Sequence, residues 1–246
     1  MKKLLYMFLM LMILAGCRQE LPVSTTASGA PTLSTAQTTE ETAGSTVPTT
    51  EPAPETEPTT LPEPQDTEFV RVTDWIPNAR EALAYATDGN FTGKVIYDFT
   101  EAWLRWGTVK KLSQVCGELE EMGLGLILWD CFRPVSAQEK LWEAYPDANY
   151  VSPPGTGKQS HCRGNTVDIS LYDLTTGEPL PMPTDFDDFS GKADRDYGDC
   201  PREAAENALL LEGLMEKYGF VPYFKEWWHF SDGEDYPIAE GVVPGQ

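Results

Sequence analysis

Apolar residues are distributed along this chain in three distinct ways. Leu4 to Leu14 is a continuous apolar run behind Lys2 and Lys3. It is shorter than the roughly 20 apolar residues a spanning helix needs. Residues 17–67 hold almost no large apolar side chain and repeat Thr, Pro, Glu, Ser and Ala, as in Thr49-Thr-Glu-Pro-Ala-Pro-Glu-Thr-Glu-Pro58. Such a stretch has too little to bury to offset the entropy of ordering, so an extended, disordered tether is expected. From residue 68 to 246 the apolar positions become periodic. Leu104, Val109, Leu112, Val115, Leu119 and Met122 recur at helical spacing and predict a helix over 101–122, stopped at Gly123. Leu124 to Asp130 is an apolar run of strand length, which places Arg133 at a strand end. Ser136 is expected to cap a helix reaching Ala144. Lys94 to Phe99 reads as a strand, and residues 79–87 fit a helix and a strand equally well. Thr166, Asp168 and Ser170 alternate with Val167, Ile169 and Leu171, the pattern of a strand whose polar side turns Asp168 toward the loop carrying His161. A helix over 202–218 ends at Gly219, and a strand follows near 221–224. The last segment predicts Glu226 on a turn and His229 on a strand. Residues 146–160 and 179–201, rich in Pro, Gly, Ser and Asp, are loops. Strands interleaved with helices predict an α+β fold, a mostly antiparallel sheet with flanking helices.

Composition narrows the function classes. The formal net charge is −21, and the tether contributes Glu20, Glu40, Glu41, Glu51, Glu55, Glu57, Glu63 and Asp66 against the single base Arg18. Such acidity argues against nucleic-acid binding, which needs a basic face. Beyond Cys17 the cysteines are Cys116, Cys131, Cys162 and Cys200, without zinc-ribbon spacing. Three disulfide pairings are open to them, and free buried thiols are equally open.

The candidate chemistry rests on the only two histidines, each at short spacing from a carboxylate: His161 with Asp168, and His229 with Glu226. Zn²⁺ held by His161, Asp168 and His229 would keep one position open for water, the inventory of a hydrolytic zinc site. Glu226 would then serve as general acid–base. Arg133 would stabilise the negative charge of a tetrahedral intermediate. Trp227 and Trp228 are expected in the core.

These segments, together with Tyr85-Ala-Thr-Asp-Gly-Asn-Phe-Thr-Gly93, Trp129-Asp-Cys-Phe-Arg-Pro134 and Met182-Pro-Thr-Asp-Phe-Asp187, make residues 69–232 resemble the VanX-like D-alanyl-D-alanine dipeptidases. These are relatives of the zinc D,D-carboxypeptidases with a hedgehog-like fold. The resemblance implies one zinc on His161, Asp168 and His229, with Glu226 as base and Arg133 at the transition state. It also implies that Asp187 and Tyr85 contact the substrate's free amine and that Ser160 contacts its carboxylate. The chain departs from the family pattern at Gln159, where serine is usual, at Thr166, where alanine is usual, and at Pro183, where glycine is usual. The implied substrate is a D,D-dipeptide. The alternatives are a D,D-carboxypeptidase trimming peptidoglycan stem peptides and a non-catalytic wall-binding module. The latter would be expected to lack Glu226 or Arg133, and both are present. At the other end, Leu14-Ala-Gly-Cys17 resembles a bacterial lipobox. It implies a signal peptide over 1–16, lipid on Cys17, and an extracytoplasmic domain anchored to the cell membrane.

Overall fold

The computed structural model describes residues 63–148 and 150–245. The expected signal peptide, the lipidation site Cys17 and the tether up to residue 62 lie outside the described residues. Residues 63–67 at the end of that low-complexity stretch lie against the folded unit. The Trp106 indole donates to Glu63 (3.0 Å), and Lys110 pairs with Asp66 (2.6 Å).

The described residues form two sheets and three α-helices, in the order β1 (Phe69–Arg71), β2 (Arg80–Glu81), β3 (Trp103–Arg105), α1 (Trp106–Glu121), β4 (Leu124–Asp130), α2 (Val135–Ala144), β5 (Thr166–Asp173), α3 (Arg202–Lys217), β6 (Phe220–Pro222) and β7 (His229–Asp232). The main sheet runs β2-β4-β5-β7-β6, and β1 pairs with β3 in a separate ribbon. Every pairing is antiparallel except β2 with β4. The α+β expectation therefore holds.

α1 forms because Val109, Leu112, Val115 and Leu119 make one stripe, and all four are fully buried. It ends at Gly123, whose φ of +77° suits glycine. The helix starts later than its periodicity predicts. Residues 103–105 are extended and pair with β1, Phe69 facing Arg105, so Leu104 belongs to a strand. The expected strand at Lys94–Phe99 is also corrected. Ile96 and Tyr97 both donate their amides to the Tyr85 carbonyl (3.0 and 2.9 Å) and are buried, but no strand lies beside them. Residues 79–87 resolve into the short β2 followed by a tight turn over Ala84–Ala86. Ser136 does not cap α2. Pro134 precedes the helix, and its carbonyl accepts from Ala137 and Gln138.

β5 is the central strand, and its polar side is as buried as its apolar side: Thr166 is 0% exposed, Asp168 4% and Ser170 1%. Trp227 and Trp228 are each 1% exposed and lie in the core as expected. All four described cysteines are free. Burial pushes the Cys116 thiol up to about 12 and the Cys162 thiol up to about 11.

Candidate metal centre and its cavity

Strand register assembles the site. Asp168 of β5 lies abreast of Asp130 on β4 and of His229 on β7. Cross-strand partners share a face of the sheet, so three ionisable side chains stand in one row. The fourth group comes from a tight turn over His161–Arg163, closed by Gly164 at φ +76°. Its position is set from two directions. The Arg133 amide donates to the His161 carbonyl (3.2 Å), and the His161 ring Nδ1 lies 2.9 Å from the Cys131 carbonyl. A carbonyl can only accept, so Nδ1 carries the proton and Nε2 presents its lone pair.

That Nε2 lies 3.3 Å from Asp168 Oδ2, and His229 Nδ1 lies 2.9 Å from Asp168 Oδ1. The ligating atoms of His161, Asp168 and His229 all fall within 4.8 Å of one another. Metal–ligand bonds of about 2.0–2.2 Å separate tetrahedral donors by roughly 3.4 Å, so this cluster could close on one ion with small adjustments. Two imidazoles and a carboxylate are also a donor set suited to a zinc-like ion. Burial disfavours a charged His161, but the Asp168 and Asp130 carboxylates outweigh it and raise its pKa above the usual histidine range. Burial likewise opposes ionisation of Asp168, yet the two imidazoles hold its carboxyl far below the usual carboxylate range.

Glu226 sits on the turn before β7, with its amide donating to the Tyr223 carbonyl (3.3 Å) and its carbonyl accepting from the His229 amide (3.2 Å). This kink is the one the sequence called for. It brings Glu226 Oε2 to 3.6 Å from His229 Nδ1. Burial, with Asp168 nearby, raises the Glu226 pKa, although His229 and His161 oppose the shift.

Arg133 is buried rather than a surface ion pair. Nη2 donates to Asp130, Nη1 to Gln138 Oε1 (2.7 Å) and Nε to the Tyr97 hydroxyl (3.3 Å). Three of its five N–H groups are thereby engaged, and the guanidinium lies over the Tyr85 ring at 5.1 Å. Asp130 is the hub that sequence reasoning missed. It is fully buried and also accepts from Tyr97 (2.5 Å) and from the Cys131 amide (2.9 Å). An aspartate ending an apolar strand three residues before an arginine was the available signal.

His161, Asp168, His229, Glu226 and Arg133 line one cavity of about 480 Å³, together with Tyr85, Gln159, Ser160 and Asp187. Asp187 is carried in by Phe186, which packs against Trp129 (5.1 Å) and Trp228 (5.5 Å). The Tyr85 hydroxyl donates to Asp187 Oδ2 at 3.0 Å. Burial first, and the Asp168 charge second, push the Asp187 carboxyl well above its usual range. Ser160 precedes the His161 turn. Gln159 is 4% exposed, and its Oε1 has no partner among the described residues. Thr166 bonds Ser231 (3.0 Å).

A family model described as D-ala-D-ala dipeptidase, a peptidase family of class M15, matches residues 65–242. The D-alanyl-D-alanine dipeptidase of Escherichia coli is 34% identical over 70% of this chain and 89% of its own length. That of Streptomyces coelicolor is 32% identical over 70% and 98%, and that of Enterococcus faecalis 30% over 69% and 94%. A solved structure of a zinc-bound variant of the vancomycin-resistance D,D-pentapeptidase VanY covers 56% of this chain and 76% of its own at 14% identity, with a TM-score of 0.37. That likeness is too slight to bear on this chain.

Proposed function

The chain belongs to the D-Ala-D-Ala dipeptidase family, and from that premise we propose that it hydrolyses D-alanyl-D-alanine or closely related D,D-dipeptides with one zinc ion. The observation that carries the reading is the convergence of His161, Asp168 and His229 in one cavity, with Glu226 beside them and Arg133 facing in. When bound by these three residues, zinc supplies Lewis acidity, which lowers the pKa of water and polarises a carbonyl. Glu226 takes the proton from the attacking water and delivers it to the nitrogen of the breaking C–N bond. Its raised pKa suits both halves of that transfer. Arg133 has two N–H groups without a partner among the described residues, on a fork held by Asp130, Gln138 and Tyr97. It meets the carbonyl oxygen as that oxygen becomes negative.

Asp187 and Tyr85 are proposed to receive the substrate's ammonium. A buried carboxyl whose charge burial disfavours gains from an arriving cation, so the pairing favours a free amine in the cavity. A cavity of about 480 Å³ is of dipeptide scale. Ser160 is proposed to contact the substrate carboxylate. The domain is proposed to work outside the cytoplasm, held at the membrane by lipid on Cys17 and the tether over 17–67. Support for this is the Leu14–Cys17 motif and the apolar run before it. Among the described residues no helix is long and apolar enough to cross a membrane.

The test is turnover of D-Ala-D-Ala, L-Ala-L-Ala and a D-Ala-D-Ala-terminated pentapeptide by the zinc-loaded protein. The expected result is cleavage of the D,D-dipeptide alone. Cleavage of the pentapeptide without the dipeptide would replace the reading with a carboxypeptidase. Membrane partitioning of the full chain, abolished by Cys17→Ser, checks the anchor.

A further inference from the structure

Arg195 lies in the long loop before α3, outside every segment read as chemically active, yet its side chain is only 4% exposed. Nε donates to the Tyr223 carbonyl (2.8 Å). Nη2 donates to the carbonyls of Glu226 (3.0 Å) and His229 (2.9 Å). Nη1 donates to Glu212 Oε2 on α3 (3.1 Å) and to the Tyr197 hydroxyl (3.4 Å), which itself donates to Glu212 (2.7 Å). All five N–H groups of the guanidinium are spent. The plane lies over the Phe230 ring at 4.3 Å.

The three carbonyls it gathers are those of the turn that presents Glu226 and His229. Each already closes the turn internally. Tyr223 accepts from Glu226, Glu226 from His229, and His229 from the Tyr223 amide. Three carbonyl dipoles thus converge on one buried spot, an arrangement that repels itself unless a cation with divergent donors fills it. The same loop adds two backbone bonds, Arg195 to the Phe224 carbonyl (3.0 Å) and Trp227 to the Ala193 carbonyl (2.9 Å). The turn lies between β6 and β7, and besides these bonds it is anchored by the Ile169 amide on the Trp228 carbonyl (3.1 Å) and by the Trp227 indole on Thr184 (2.9 Å).

We propose that Arg195 is a positioning residue that sets the placement of Glu226 relative to His229, and through it the zinc affinity of the site and the rate of proton transfer. It touches no substrate. This rests on the zinc-peptidase reading above.

The test uses Arg195→Lys, Arg195→Met and Glu212→Gln in the full chain. Lysine offers three donors on a point charge and cannot span the turn and Glu212 together. Zinc affinity is measured by competition with a chromogenic chelator. Amide exchange at Glu226 and His229 is measured in the metal-free protein, and kcat and KM on D-Ala-D-Ala. For Arg195→Lys with unchanged far-UV circular dichroism, the expected result is a zinc Kd weakened about 10–100-fold and a fall in kcat at constant KM. Exchange at those two amides should be faster, and Glu212→Gln should move in the same direction by less. If Arg195→Met does not fold, the other two variants decide. A folded Arg195→Lys protein with wild-type zinc affinity and wild-type exchange at both amides overturns the proposal, even if its urea stability is lower. Wild-type protein that binds no zinc would instead overturn the reading of the site, and the metal-free exchange would still judge the clamp.

Discussion

The Cys131 carbonyl settles which nitrogen of His161 faces the cavity, and Arg133 is held in a similar way by Asp130, Gln138 and Tyr97. Glu226→Gln keeps the shape of the turn but removes the proton acceptor. Its kcat should fall by about 10²–10⁴-fold, with zinc affinity near wild type by chelator competition. Retained activity would exclude Glu226 as the base. Asp130→Ala is a different kind of change, because it leaves the buried Arg133 cation without its carboxylate and the Tyr97 hydroxyl without its acceptor. Breaking a buried pair on one side costs about 3–5 kcal/mol, so urea unfolding should shift by that order. Residue chemistry at this site was partly legible from sequence. Two histidines with nearby carboxylates pointed to the metal, but nothing in the spacing assigned Gln138 or Tyr97 to Arg133, since those contacts span a strand end, a helix and a loop.

At the scale of elements, register does the assembling. Asp130, Asp168 and His229 meet because β4, β5 and β7 pair in one register, and a slip of a single residue would turn Asp168 to the opposite face. Gly164 sets how the His161 turn enters β5. An alanine there would hold a left-handed φ costing about 1–2 kcal/mol and press its methyl into the Phe69 ring. Gly164→Ala should therefore lower both the melting temperature and zinc affinity. At the sheet edge, Glu81 of β2 accepts from Arg71 (2.7 Å), Thr73 (3.2 Å) and the Ala102 amide (2.9 Å). Burial opposes its charge, but these donors lower its pKa below the usual carboxylate value. A depressed carboxylate pKa contributes stability that is present above the unfolded value near 4.3 and is lost as pH falls through the folded value. Glu81→Gln should lose stability at neutral pH and show a flatter acid limb in urea melts taken between about pH 5 and 3. The edge strand itself was only half legible. Residues 79–87 carry too short an apolar pattern to choose between helix and strand, and the choice was made by pairing with β4.

For the whole molecule, a site built from three separate segments couples metal binding to folding, because the unfolded chain does not bring those segments together. Zinc at 100 times its Kd should stabilise the domain by about 2.7 kcal/mol. Chelation should then lower the melting temperature by roughly 5–10 °C. An unchanged melting curve after verified zinc removal would argue against a site that spans β5, β7 and the His161 turn. The proposed role of the acidic low-complexity stretch and the apolar start of the chain in anchoring the domain is addressed separately by the Cys17→Ser partition experiment.

Local patterns sufficed for what is local in origin. The stripe that makes α1, the apolar run of β4 and the alternation of β5 all follow from neighbours a few residues apart. Tertiary structure decided what depends on partners far along the chain. It drew Trp103–Arg105 out of a helical pattern into a ribbon with β1, and left Lys94–Phe99 without a strand. It buried Asp130 under Arg133, and it placed Arg195 beneath a turn that lies about 30 residues further on. Hydrophobic periodicity reports which face of an element is buried. It carries no information on which distant donor a buried carbonyl or carboxylate will meet, and that pairing is settled only when the elements pack.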